Sequence, residues 1–211
     1  MIHLSYSSLT NIHNGHEWLN KQMGIPVPDY PFLAEGRDGH RIIQEHIARI
    51  KKHDYLKGLG VEFPIVEEKD FDERCKFSFL VGECEIIGFY DGRNGGFSRT
   101  VEIKLSSVPW SMLKFKKDMQ RKLYALSDER IKEQFLITGH RDIEKWNDDP
   151  PKIYSLKPTK KDKEEAREWI MEGVAILEKG DFSGGLDEDG KCLGCFWNMD
   201  RYPELANCNF R

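Results

Sequence analysis

Ile86-Ile87-Gly88-Phe89-Tyr90-Asp91, followed past a glycine-rich turn by Val101-Glu102-Ile103-Lys104, is the stretch on which the reading of this chain turns. Side chains on a strand alternate between faces, so Glu102 and Lys104 project to one side while Val101 and Ile103 point to the other. Asn94-Gly95-Gly96 is a strong turn signal between the two extended segments. Asp91, Glu102 and Lys104 are therefore expected to meet at one end of a sheet. Two carboxylates there suit a hard divalent cation such as Mg²⁺ or Mn²⁺, which takes one or two carboxylates together with phosphate oxygens. An ammonium beside them would face an attacking water, an arrangement fit for cutting phosphodiesters.

Each piece also has an ordinary reading. Glu-x-Lys is common on solvated sheet faces, and Asp91 before Gly92 is a good turn start. The order of the neighbouring elements adds weight to the chemical one. Ser106-Ser107-Val108-Pro109-Trp110 offers a serine cap and an early proline, and Met112, Phe115, Met119, Leu123 and Leu126 then recur at helical spacing. A single helix is expected directly after the Glu102/Lys104 strand, with Gln120 and Tyr124 four residues apart on one face. Upstream, Gly36-Arg37-Asp38-Gly39-His40 leads into an apolar stripe of Ile42, Ile43, His46, Ile47 and Ile50, which places His40 near a helix start.

In this order the residues resemble the PD-(D/E)XK nuclease superfamily, most closely its RecB-like branch. The resemblance rests on Ser5-x-Ser7-x-Leu9, Gly36-x-x-x-His40, Gly88-x-x-Asp91, Glu102-x-Lys104 and Gln120-x-x-x-Tyr124, and spans residues 5 to 126. It implies a restriction-endonuclease-like α/β core with a mixed central sheet flanked by helices. It further implies that His40, Asp91 and Glu102 are ligands of Mg²⁺ or Mn²⁺, with the backbone carbonyl of Ile103 as another donor. Lys104 would orient or activate the water and offset transition-state charge, and Gln120 and Tyr124 would hold the DNA backbone beside the metal. The activity implied is metal-dependent DNA hydrolysis, as an exonuclease in recombination or repair, with a strand-annealing protein or helicase as partner by analogy. The alternative is a non-catalytic nucleic-acid-binding or assembly module that retains the fold.

A chain of 211 residues with 39% hydrophobic and 32% charged residues can bury one substantial core. No apolar run approaches the ~18 residues of a membrane helix, and no charged-then-apolar leader opens the sequence, so a cytoplasmic protein without membrane contact is expected. The net charge of −4 argues against coating nucleic acid by bulk electrostatics. It leaves room for a local cationic track, for which Lys114, Lys116, Lys117, Arg121 and Lys122 are candidates. Residues 1–180 are expected to form the nuclease-like domain and residues 181–211 a cysteine-containing tail. Helices are read at Ser7–Met23, Gly39–Lys52 and Lys160–Glu178. Strands are read at Val61–Lys69, Lys76–Val81, Glu83–Asp91, Arg99–Leu105, Gln134–His140 and Lys152–Leu156.

The five cysteines carry a second signal. Cys192-x-x-Cys195 beside Gly190 and Gly194 has metal-ligand spacing, and Cys208 follows. Some RecB-like nucleases hold an iron-sulfur cluster with one cysteine before the core and three after it. The early cysteine is missing here. His13 or His16 could complete a Cys₃His zinc or cluster site, or the site is vestigial. Cys75 and Cys84 read as buried core thiols.

Overall fold

The computed structural model describes residues 2–13, 18, 21–22, 56–62 and 75–180. It is an α/β fold with mixed sheets flanked by helices. The second expected helix (39–52), His40, His16 and the three late cysteines lie outside the described residues. The chain divides into two compact units, one drawn from Met1–Tyr30, Leu80–Ile86 and Glu168–Arg211, the other from Pro31–Phe79 and Ile87–Arg167. The division runs through the stretch read from sequence as one domain.

In the first unit, strand β1 (Ile2–Leu4) pairs in parallel with the start of β4 (Cys84–Phe89), in the register Ile2 to Cys84 and Leu4 to Ile86. Helix α1 (Tyr6–His13) begins one residue earlier than expected, because the Ser5 hydroxyl accepts the Ser8 N–H and serves as its cap. Leu9 and Ile12 are its buried side. The long helix α4 (Lys160–Lys179) contributes its later turns here. His13 stacks on Trp169 with ring centroids 4.8 Å apart, and its Nε2 lies 2.9 Å from the Trp169 carbonyl oxygen. A Cβ on Gly173 would fall 2.9 Å from Leu9 Cδ2 and 3.4 Å from His13 Nε2. This glycine admits the close approach of the two helices, and His13 is a packing residue between them.

The second unit is built on a five-stranded mixed sheet in the order β2 (Val61–Glu62), β5 (Gly92–Asn94), β6 (Arg99–Ser106), β7 (Glu133–His140) and β8 (Lys152–Leu156). Strands β6 and β7 are parallel and all other pairs antiparallel. Parallel neighbours need a crossover. Helices α2 (Met112–Lys117) and α3 (Met119–Ser127) supply it. On one face Val101, Ile103, Phe135 and Ile137 pack with Leu56, Val61 and Trp146 into a buried cluster. The period of two therefore turns Glu102 and Lys104 of β6 to the opposite face, as expected. Strand β7 is buried from Gln134 to Gly139, the signature of a strand covered on both sides.

Two sequence expectations are corrected here. Asp91 does not close a strand paired with β6. Strand β4 ends at Phe89 and belongs with β1 and β3 (Lys76–Val81) in a separate sheet, and the chain crosses at Tyr90-Asp91 into β5. Gly88 marks the approach to this crossing: a Cβ there would lie 2.4 Å from the Phe77 ring. Asn94-Gly95-Gly96 does form the turn before β6, where Asn94 Oδ1 accepts the Arg99 N–H at 2.8 Å and Phe97 takes a positive φ of 55°.

The expected single helix is also two helices. Ser111, rather than Ser106 or Ser107, caps α2 by accepting the Lys114 N–H. Asp118 ends α2 in an extended conformation and caps α3 by accepting the Arg121 N–H at 3.0 Å. The break is held by Arg121, which is 1% exposed and donates to the carbonyls of Phe115 and Lys116 at the end of α2. The same guanidinium reaches Gln134 on β7 and both carboxylate oxygens of Asp162 at the start of α4. It thus satisfies helix-end carbonyls that a continuous helix would have paired internally.

Candidate active site

The Asp91 carboxylate accepts the Ile103 N–H at 2.7 Å. Strand β5 pairs Gly92 with Val101, so its ladder ends before Ile103, and the carboxylate takes the donor that no strand reaches. The N–H and C=O of one residue in an extended strand point the same way. The Ile103 carbonyl is accordingly directed to the edge where Asp91 sits, while the Ile103 side chain is buried in the core.

Glu102, on the opposite face of β6 from the apolar cluster, is 3% exposed. Its Oε1 is 2.5 Å from the Lys104 ammonium. From α3, Gln120 closes the group: its Oε1 accepts from Lys104 Nζ at 2.7 Å, and its Nε2 donates to Glu102 Oε2 at 3.2 Å and to Tyr124 Oη at 2.8 Å. Tyr124 Oη in turn donates to the Phe89 carbonyl at 2.9 Å. The Tyr124 ring is buried and meets Phe77 and Tyr90 edge-on at 5.5 and 5.0 Å.

The five residues that short motifs named are therefore brought into one cluster. His40 and the late cysteines lie outside the described residues. Among the described residues, no group of three or more His, Cys, Asp or Glu side chains is placed to hold a metal ion, and Asp91 and Glu102 make two. Tyr124 departs from its expected role. Its hydroxyl is spent in the interior on the Phe89 carbonyl, two residues before Asp91, so it braces the segment that carries Asp91 rather than facing a DNA backbone.

The expected cationic track is smaller than it looked in sequence. Arg121 is buried against Asp162, and Lys122 pairs with Glu165. Lys114, Lys116 and Lys117 remain exposed, on the helix that opens next to the site. Asp118 is the residue that sequence reasoning missed. Its charge acts on both Glu102 and Lys104, and its capping position was legible as an Asp before a fresh helical turn.

Electrostatics mark the cluster as strained in charge. Burial, only partly offset by the Ile103 N–H, raises the Asp91 carboxyl above its ordinary range. Burial first, and repulsion from Asp91 second, raise Glu102 as well. Burial works to lower Lys104, but Glu102 overcomes it and holds the ammonium above its ordinary range. Two carboxyls that resist ionising together form a donor set that a divalent cation would relieve. With the Ile103 carbonyl at the same edge, the residues present fit such an ion.

No family model matches the chain, and no curated protein does. The fold is shared with SSO0001. Its crystal structure aligns with a TM-score of 0.54 at 15% identity, covering 83% of this chain and 77% of that one. A likeness at that identity concerns the fold alone. Among the described residues, no helix is long and apolar enough to cross a membrane. Cys75 and Cys84 are buried core thiols, as the sequence suggested, and burial raises the Cys84 thiol.

Proposed function

We propose that the chain is a metal-dependent DNA nuclease of the PD-(D/E)XK type, acting as an exonuclease in recombination or repair. The observation that carries this reading is the convergence of Asp91, Glu102 and Lys104 with Gln120 at one edge of a sheet. Asp91, Glu102 and the Ile103 carbonyl would hold Mg²⁺ or Mn²⁺, with His40 as a further ligand. When bound, such an ion neutralises phosphate charge and makes water a better nucleophile.

The chain's own residues divide the remaining work. Lys104, bonded to Glu102 and Gln120, would orient or activate the water and offset the negative charge that builds on the phosphorus oxygens. Gln120 holds Lys104 and Glu102 in register from both ends of its amide. Tyr124 fixes Gln120 and, through Phe89, the entry to Asp91. Lys114, Lys116 and Lys117 supply the positive surface that guides the strand. On the same reading, Cys192, Cys195 and Cys208, with His16, would hold zinc or an iron-sulfur cluster.

The test is degradation of end-labelled linear and closed circular DNA with Mg²⁺ or Mn²⁺, with EDTA and Glu102→Ala as controls. Loss of linear DNA alone, abolished in Lys104→Ala and Asp91→Ala proteins that remain folded, is the expected result. Cleavage of circles would make the enzyme an endonuclease. Binding without turnover would favour the assembly-module reading, and cleavage retained in both variants would sink the assignment.

A further inference from the structure

Trp110 lies where the chain leaves β6 for α2. Its backbone N–H is anchored on the hydroxyl of the buried Thr138 of β7 at 2.8 Å, while its ring is only half-buried. The ring centroid is 5.5 Å from the Lys104 ammonium and 4.2 Å from that of Lys114. Val108 and Leu113, two residues before it and three after it, are 75% and 61% exposed. Beyond them stand the exposed Lys116 and Lys117, which have no ion pair among the described residues. The ring is thus a half-buried aromatic whose backbone is bonded to Thr138 and which is flanked by two ammonium groups, one of them Lys104 of the site.

We infer that Trp110 is the stacking platform for an unpaired base of a single-stranded substrate, and that it sets a preference for single strands or frayed ends. The inference rests on the nuclease reading for the position of the scissile phosphate. Charge selects the occupant: lysines bordering an aromatic ring match a polyanion whose bases carry exposed π-faces. A duplex hides those faces in its own stack, so only an unpaired nucleotide can use the ring. The Lys114 ammonium, now on the ring, would move to a backbone phosphate as the base arrives. A base on Trp110 then sets its own or the adjoining phosphate beside Lys104.

The experiment compares the full-length protein with Trp110→Ala and Trp110→Phe on labelled oligo-dT and on a blunt duplex, in Mg²⁺. Equilibrium binding is read by fluorescence anisotropy and cleavage by KM and kcat, and thermal melts establish that the variants are folded. Trp110→Ala is expected to raise KM for oligo-dT by about five-fold or more, the effect of losing one base–aromatic stack. Its kcat and its KM for the duplex should stay within about two-fold of wild type, and Trp110→Phe should recover most of the loss. An unchanged KM for oligo-dT, or an equal loss on both substrates, would overturn the inference. If the wild-type protein cleaves neither substrate, the nuclease reading fails. Anisotropy then decides: weaker oligo-dT binding by Trp110→Ala alone upholds the platform, and equal binding removes it.

Discussion

Replacing Asp91 by Asn should stabilise the metal-free protein while abolishing the proposed cleavage. Asn keeps an oxygen to accept the Ile103 N–H and removes the charge that repels Glu102. Burial pushes the Asp91 carboxyl from 3.8 up to about 6. At about 1.36 kcal/mol per pKa unit, ionising it costs the fold at most ~3 kcal/mol. Asp91 is half-buried, so solvent screening brings this to roughly 1–2 kcal/mol. For a chain of this size that is a rise in Tm of about 2–8 °C. The sign follows from linkage. A carboxyl raised on folding favours the folded state below its unfolded pKa, and that contribution is lost as pH rises through the folded value. The advantage of Asn should thus be full at about pH 7.5 and gone near pH 4. Differential scanning fluorimetry in EDTA measures it. Saturating Mg²⁺, at ~100 times its Kd, should add about 2.7 kcal/mol to the wild type alone and reverse the order. A variant that melts below wild type in EDTA at pH 7.5, or a gap that persists at pH 4, would refute the reasoning.

Other substitutions probe the supports of the site. Gly88→Ala should cost about 1–3 kcal/mol by urea denaturation, because its methyl would overlap the Phe77 ring, and Phe77→Leu in the same chain should restore part of the loss. Asp162→Ala strands the buried Arg121 guanidinium and should cost about 3–5 kcal/mol, whereas Lys160→Ala, which loses only an exposed pair with Glu164, should fall within ~0.5 kcal/mol. Tyr124→Phe removes one hydrogen bond of Gln120 and one to the Phe89 carbonyl. A lower midpoint by about 1–2 kcal/mol is expected, and loosening of Asp91 should lower kcat about ten-fold with KM little changed.

Much of the fold and of the site was legible because it depends on local rules. The alternation in Val101-Glu102-Ile103-Lys104 settles which side chains share a face whatever the strand's neighbours are. The apolar spacing of Met112 to Leu126 requires helix, and Asn94-Gly95-Gly96 requires a turn. Partners were not legible. Whether Arg121 faces outward or the interior depends on Asp162, distant in sequence, and on where the helix breaks. An exposed and a buried arginine look alike in a helical pattern.

The same limit explains Asp91 and Tyr124. Asp91 before Gly92 announced a turn, but only tertiary packing decided that the chain leaves one sheet for another there, since strand pairing is set between segments that do not know each other locally. Tyr124 shares a helix face with Gln120 by its spacing of four. That its hydroxyl turns inward to Phe89 follows from the aromatic cluster around it. The sequence by itself determined which residues were candidates for chemistry and which face of β6 presents Glu102 and Lys104. The tertiary structure decided which of them meet, because burial and hydrogen-bond partnership are properties of distant segments brought together.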